Sequence, residues 1–354
     1  MNAEVLALAP AIVFLGVLFF LLPNLTRPEL FFAVTVERGF RRCAAGTLIV
    51  RRYRMHVTVV TAIAVALLCL AGALSLRSLP PVTLFGQLAA LGAAFLAARR
   101  ATQPFAVAPT TVREAELAAW KKTVPGGLAV ALGPLLLLLL AGLAAWLRWS
   151  DLPEKMPVHW GFSGPDRWVE RTPARALGLF LLNGSVMAMI CLSAWGVSQA
   201  VGRVVTTGAE AAAEFRFRRL TVWLLLLVAY LVSLPLALTV LAPEAVRSPA
   251  VMNAWGAVML AGVLISVAGL IWMGQGGSRL AGPDRESITA PPAGDRRTDA
   301  CWKWGMFYVN PDDPAIFIEK RFGIGYTLNF GNPWAWAAIA LLVPSLVSGI
   351  LLLQ

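Results

Sequence analysis

Charge is scarce in this chain. Only 14% of its 354 residues are Asp, Glu, Lys or Arg, against about 25% in a soluble globular chain. With a mean hydropathy of +0.71, the scarcity nearly excludes a water-soluble enzyme. A 58% hydrophobic content excludes a disordered chain. Histidine is rarer still, with two residues, one of which, His159, falls in a predicted outer loop. The four cysteines are Cys43, Cys69, Cys191 and Cys301. None forms a CxxC pair or a zinc-like spacing. HExxH, GxSxG and phosphate-loop motifs are all missing. So are paired carboxylates inside apolar stretches, which intramembrane aspartyl chemistry would need.

What is present is length without charge. A spanning helix needs about 20 mostly apolar residues. Eight stretches meet that standard, at 3–23, 56–76, 81–98, 128–147, 176–199, 220–241, 251–273 and 334–353. The fold class expected is an all-α polytopic membrane protein of about eight transmembrane helices. A small outer loop domain and a small inner α+β element complete it. No ionisable group sits in the middle of a span, which counts against proton or ion coupling. Gln87, Asn183 and Asn253 are the polar exceptions, and interhelical hydrogen bonding accounts for them. Cys69 and Cys191 lie in spans and read as packing residues.

The net charge of +11 is a record of insertion. With the N-terminus outside, the segments between spans that face inward hold 23 of the 30 Lys and Arg. By the positive-inside rule both termini are then external and the protein is a multi-pass protein of the cell membrane. No basic residue precedes the first span, so that span reads as an uncleaved anchor. The basic residues are spread over four inner loops without one continuous face, which argues against direct nucleic-acid binding.

The chain divides by these rules into six pieces. Residues 1–147 form a four-helix membrane region, with an inner loop at 24–55. Residues 148–175 form the outer loop, and 176–273 carry helices five to seven. Residues 274–299 are rich in Gly, Pro, Asp and Arg, and read as a flexible linker. An inner element at 300–333 and a last helix at 334–354 follow.

The outer loop carries the first motif. Pro153 and Pro157 forbid an ordinary helix there, and Met156 before proline is pushed to extended backbone. Residues 158–160 read as a short strand and 163–166 as a tight turn. Trp149, Trp160 and Trp168 suit a membrane interface. His159 stands near Asp151, Glu154 and Asp166 in the sequence. It fits a turn-fixing hydrogen bond, a ligand or partner contact, or a partial metal site. One His without Cys is thin for zinc, so neither a resident metal nor a cofactor is expected.

The string Leu152-Pro153, Pro157 and His159-Trp160, followed by Gly164, Asp166 and Trp168, resembles the extracytoplasmic signature of the SdpI-type immunity-protein family. One residue fewer separates the Gly and the Asp here than in that pattern. The inner segment around Phe31–Val36 also resembles the family, with Ala33 where Gly is usual. The resemblance implies a polytopic bacterial membrane protein without known catalysis. Its named role is immunity to a secreted antimicrobial peptide, linked to signalling at the inner face.

The inner element carries the second motif. Residues 302–309 are aromatic and strand-like, and Asn310-Pro311 signals a turn. Asp313-Pro314 suits a helix N-cap with proline at the first position, and Gly323 its C-cap, so a short helix is expected over 314–322. Residues 324–330 return to strand character. Trp302, Lys303, Gly305, Tyr308, Asn310, Asp313, Pro314, Lys320, Arg321, Gly323, Gly325 and Asn329 match the pattern of an uncharacterised domain. That domain is found at the inner face of related Gram-positive-type membrane proteins. Lys320 and Arg321 are expected to face lipid head groups or neighbouring loops. Gly323 and Gly325 alone fall short of a nucleotide fingerprint.

The reading favoured by these features is non-enzymatic. The protein would sense, or confer immunity to, a secreted peptide or envelope ligand and signal to the inner face. Its partners are the lipid bilayer, an extracellular peptide and a cytoplasmic regulator. The ligand contacts would be Pro153, Pro157, His159, Trp160, Gly164, Asp166 and Trp168. The alternatives are a metal-dependent membrane enzyme built on His159 and Asp166, and a facilitator-type transporter.

Overall fold

In the computed structural model, residues 3–76, 78–108, 124–161, 164–200, 208–242, 248–280 and 298–353 are described; at 3–7, 159–161, 164–166, 208–211, 235, 239 and 249 this holds for the backbone alone. Among the described residues, eight helices are long and apolar enough to cross a membrane. They are α1 (Ala3–Leu25), α2 (Ala44–Leu74), α3 (Leu79–Thr102), α4 (Gly127–Leu147), α5 (Pro173–Gln199), α6 (Gly208–Leu241), α7 (Pro249–Met273) and α8 (Pro333–Leu352). The chain is a polytopic helical membrane protein with a few small strand pairs. Its helices run past the expected spans: α2 begins 12 residues earlier than the apolar run and α6 likewise 12, because both open with turns that carry charged residues.

The extensive helix–helix contacts fall within two groups, α1–α3 and α4–α8. Lipid supplies no hydrophobic drive between helices, so close packing and polar ties must hold them. Each group has both. In the first, Gln87 Nε2 donates to the Ile12 carbonyl at 2.9 Å and the Tyr53 hydroxyl to the Phe19 carbonyl at 2.9 Å. In the second, the Tyr230 hydroxyl donates to the Val130 carbonyl at 3.1 Å, and Ser185 and Ser345 join α5 to α8 at 2.8 Å. Gln87 thus makes the interhelical bond expected of it. Asn183 does not: its amide returns to the Leu179 carbonyl of its own helix. Asn253 is on an exposed face. Cys191 is buried as a packing residue, but Cys69 is exposed on α2, facing outward from its group.

Strand pairs sit at the two ends of the bundle. At one end β1 (Leu30–Phe31) pairs with β2 (Val34–Thr35) around Phe32 and Ala33, both at positive φ. This is the two-residue turn that suits the twist of a hairpin. Ala33, at φ 61, therefore occupies a conformation that favours glycine. At the same end lie β5 (Trp302–Lys303) with β6 (Phe307–Tyr308), and β7 (Phe317–Glu319) with β8 (Tyr326–Leu328), all antiparallel. At the other end β3 (Lys155–Gly161) pairs with β4 (Gly164–Glu170).

The expected helix over 314–322 is absent, and the strand β7 occupies Phe317–Glu319 within it. Asp313 does use its side chain as a cap would, accepting the Ala315 N–H at 3.0 Å. The chain then pairs Phe317 with Leu328 and Glu319 with Tyr326. Gly323, at φ 75, serves the connection between β7 and β8 rather than a helix end. The expected linker at 274–299 also differs. Gln275, Gly276 and Gly277 are buried, while 281–297 lie outside the described residues.

The α5–α8 crossing depends on two glycines. A Cβ on Gly349 would lie 2.6 Å from the Leu182 nitrogen and 3.0 Å from the Gly178 oxygen. Gly349→Leu should force the helices apart at a cost of about 1–3 kcal/mol. The expected outcome is a lower unfolding midpoint for the detergent-solubilised variant, with Gly86→Leu, at a position with nothing within 4 Å of its Cβ, left near wild type.

Candidate functional site

The β3–β4 hairpin is amphipathic by register. Met156 faces Val169 across the pair, both are buried, and they pack on Leu179 of α5 and Leu138 of α4. Leu152 is buried against Ala145 and Val240. Pro153 lines a small apolar cavity of about 20 Å³ beneath the hairpin, and Pro157 is buried. Trp168, paired with Pro157, is 44% exposed on the opposite side. The Arg171 N–H donates to the Glu154 carbonyl at 2.7 Å, and its guanidinium lies over the Trp149 ring at 5.3 Å.

The register slips twice near the motif, so that Val158 and Asp166 each lack an opposite residue. His159 pairs with Arg167 and Trp160 with Pro165. Of the tight turn expected over 163–166, Gly164, Pro165 and Asp166 belong to β4 instead, and Ser163 lies outside the described residues. The side chains of His159, Trp160 and Asp166 are likewise outside them. Of the other carboxylates, Asp151 pairs with Arg148 at 3.6 Å and Glu154 is exposed. Among the described residues no three His, Cys, Asp or Glu side chains cluster as a metal would require.

At the opposite end the motif residues of the 298–332 element mainly hold one another. Asn329 is fully buried and satisfied on both amide atoms. Its oxygen accepts the Asn310 and Gly331 N–H groups at 3.0 Å each. Its nitrogen donates to the Asn310 and Asp313 carbonyls at 2.8 and 2.9 Å. The Tyr308 hydroxyl donates to Asp313 at 3.0 Å and accepts from Asn310 at 3.1 Å. Asn332 caps α8, accepting the Trp334 N–H at 2.9 Å, and donates to the Pro314 carbonyl. Lys303 pairs with Phe307, and Trp304-Gly305 form the hairpin turn at φ 54 and 75. A Cβ on Gly305 would meet the Ala33 Cβ and the Arg99 guanidinium, so only glycine fits. Gly325, at φ 109, closes the other connection and accepts the Lys320 N–H.

This element bridges the two helical groups. Met306 and Phe322 pack on the α1–α3 cluster, with the Phe322 ring 4.5 Å from that of Phe95. Phe317 lies against Gly196 of α5, and Tyr326 stacks on Phe217 of α6 at 6.4 Å. A buried charge network runs along the seam. Arg27 reaches Glu29 at 3.8 Å and Glu319 at 3.6 Å, with all three side chains at most 9% exposed. Arg321, fully buried, pairs with Asp299 and lies over the Trp302 ring. Asp299 also accepts from the Thr35 hydroxyl at 2.8 Å. Arg99 donates to the Ala33 carbonyl at 2.5 Å. Gln275 accepts the Arg27 N–H at 3.1 Å and donates to the Lys320 carbonyl. Glu214 and Arg218 pair at 2.9 Å within α6, and Arg218 donates to the Ala200 carbonyl.

Sequence reasoning placed Lys320 and Arg321 at lipid head groups or neighbouring loops. Arg321 is instead inside the protein, and burial holds the Lys320 ammonium below its ordinary range. Burial likewise raises the Tyr326 phenol, with Arg218 opposing and Glu319 and Glu214 adding to the rise. Arg41 is lowered to about 10 by burial, opposed by Glu29, while it donates to the Thr26, Arg27 and Leu30 carbonyls. Arg27, Glu29, Arg99 and Gln275 were missed. For Arg27, Glu29 and Arg99 the sequence signal is a charged residue beside an apolar span, and Gln275 carries none.

Two family models match the chain. A domain of unknown function (DUF1648) covers residues 135–183, which is the end of α4, the hairpin and the start of α5. A family of unknown function (DUF5808) covers residues 311–336, the β7–β8 half of the opposite element and the α8 cap. Both are consistent with an SdpI-like membrane protein. No curated protein and no solved structure matches the chain.

Replacing Arg27 tests the seam. Arg27→Met leaves the carboxylates around it in a low-dielectric site and should destabilise the fold by about 3–5 kcal/mol. The double variant R27M/E319M should be less damaged than R27M. Tryptophan-fluorescence melts of the purified variants check the order; a wild-type midpoint for R27M would remove the seam as a source of stability.

Proposed function

We propose that this is a non-enzymatic membrane protein that recognises a secreted peptide or envelope ligand with the β3–β4 hairpin. It reports the event to the opposite face. The observation that carries the reading is the course of α5. Near its start, Leu179 packs under Met156 and Val169 of the hairpin. Near its end, Gly196 lies against Phe317, and Ala194 and Val197 share a cluster with Tyr326. One straight element thus touches both motif-bearing faces. A ligand that favours one seating of the hairpin would bias the seam through α5, provided it binds two conformations unequally. Immunity to an antimicrobial peptide is the form of this role that the outer motif favours.

In this reading the hairpin is extracytoplasmic, both termini lie on its side, and the 298–332 element meets a cytoplasmic regulator. The charge bias of the loops supports that orientation. Cys43 and Cys301 lie on the seam side. In a variant lacking Cys69 and Cys191, a membrane-impermeant maleimide should label the protein only after cells are lysed. Labelling in intact cells would reverse the orientation.

The recognition step has its own test. Cells producing His159→Ala with Asp166→Ala should lose survival under the cognate peptide at least tenfold, at unchanged protein level. Unchanged survival together with unchanged peptide binding would remove the hairpin tip as the recognition site.

A further inference from the structure

The hairpin has a second charged feature, set away from its tip. Where β4 meets the start of α5 and the end of α8, a cleft of about 370 Å³ opens. That size lies within the range of small-ligand sites. Its walls carry Lys155, Arg167 and Arg175, against one acid, Glu170. Glu170 lies 3.6 Å from Arg175. Lys155 and Arg167 are exposed, and the Arg167 guanidinium makes a long bond, 3.4 Å, to the Leu353 carbonyl. The cleft therefore holds an excess of two positive charges with open space before them.

Its depth follows from the residues that bound it. Arg175 stands in the first turn of α5, and Leu353 closes α8. Both helices are of spanning length, so the cleft lies where the chain leaves the hydrocarbon. Trp168, partly exposed on one wall, is the residue type that collects at that level. Toward the same end, α8 carries Val347, Ile350 and Leu351, 45–60% exposed. A phosphate in the cleft would have an apolar path for acyl chains beside it. A free anion would leave that path unused.

From this we infer that the cleft seats the phosphate of an anionic phospholipid, and that this lipid fixes the hairpin on the bilayer surface. The inference stands apart from peptide recognition, because it concerns the purified protein with lipid alone. Each basic residue near a lipid surface is worth about fivefold in affinity, and salt weakens the attraction.

The test counts lipids on the full-length protein in an uncharged detergent by native mass spectrometry. Phosphatidylglycerol is titrated against phosphatidylcholine, and glycerol 3-phosphate is the soluble arm. The basic opposite face also attracts anionic lipid, so the readout is the difference between wild type and K155Q/R167Q. Both residues are exposed, and the lipid-free melting midpoint checks that the variant is folded. The double variant should retain one phosphatidylglycerol fewer, or bind it about 25-fold more weakly. Glu170→Gln, which removes the acid, should tighten the same site. Phosphatidylcholine should show no difference between the proteins. Equal phosphatidylglycerol retention by wild type and the folded double variant would overturn the inference. So would glycerol 3-phosphate competing as well as the lipid does.

Discussion

A guanidinium taken out of water must find its partners within the protein, and the seam between the two helical groups is organised by that requirement. Arg27 and Arg321 are almost fully enclosed, and each is paired with an acid from a distant part of the chain or its flank. Desolvating such groups is costly, and a misplaced partner leaves an uncompensated charge. The geometry at the seam is consequently narrow. The β1–β2 turn, Gln275 and the β7–β8 pair must all be in register before Arg27 is satisfied. Packing alone would permit sliding; the ion pairs and the carbonyls taken by Arg99 and Arg41 select one arrangement.

The helices were legible because length and apolarity are local properties. The hairpin was legible for a similar reason, since Pro153, Pro157 and the Gly-Pro pair exclude the alternatives. Where the reading failed, a local signal lost to a distant partner. Asp313-Pro314 is a sound helix opening, yet the residues after it found strand partners at 326–328. Asn183 has an amide that could cross to another helix, and it bonded backward to Leu179 instead. The seam was invisible because its decisive pair, Arg27 with Glu319, joins opposite ends of the chain. No period or motif encodes a contact of that kind.

The two faces differ in how they use polar groups. In the 298–332 element Asn329, Asn310, Asp313 and Tyr308 bond to one another and to nearby backbone. Their pattern in the sequence is accounted for by the fold of the element. On the hairpin, the buried residues are apolar and the cations stand outward. A matched motif therefore carries different meanings at the two ends: at one it keeps a clasp closed, and at the other it shapes a surface.

The clasp also has a consequence for how the protein is made. Synthesis runs from the N-terminus, and early segments tend to fold first. The α1–α3 group would leave the translocation machinery with Arg27 held by Glu29 alone and the Thr35 hydroxyl without its acceptor, since Asp299, Glu319 and Gln275 are still untranslated or barely emerged. A nascent chain truncated before the 298–332 element would present an unclosed polar seam at the membrane surface, a feature by which quality-control proteases could tell an unfinished copy from a complete one.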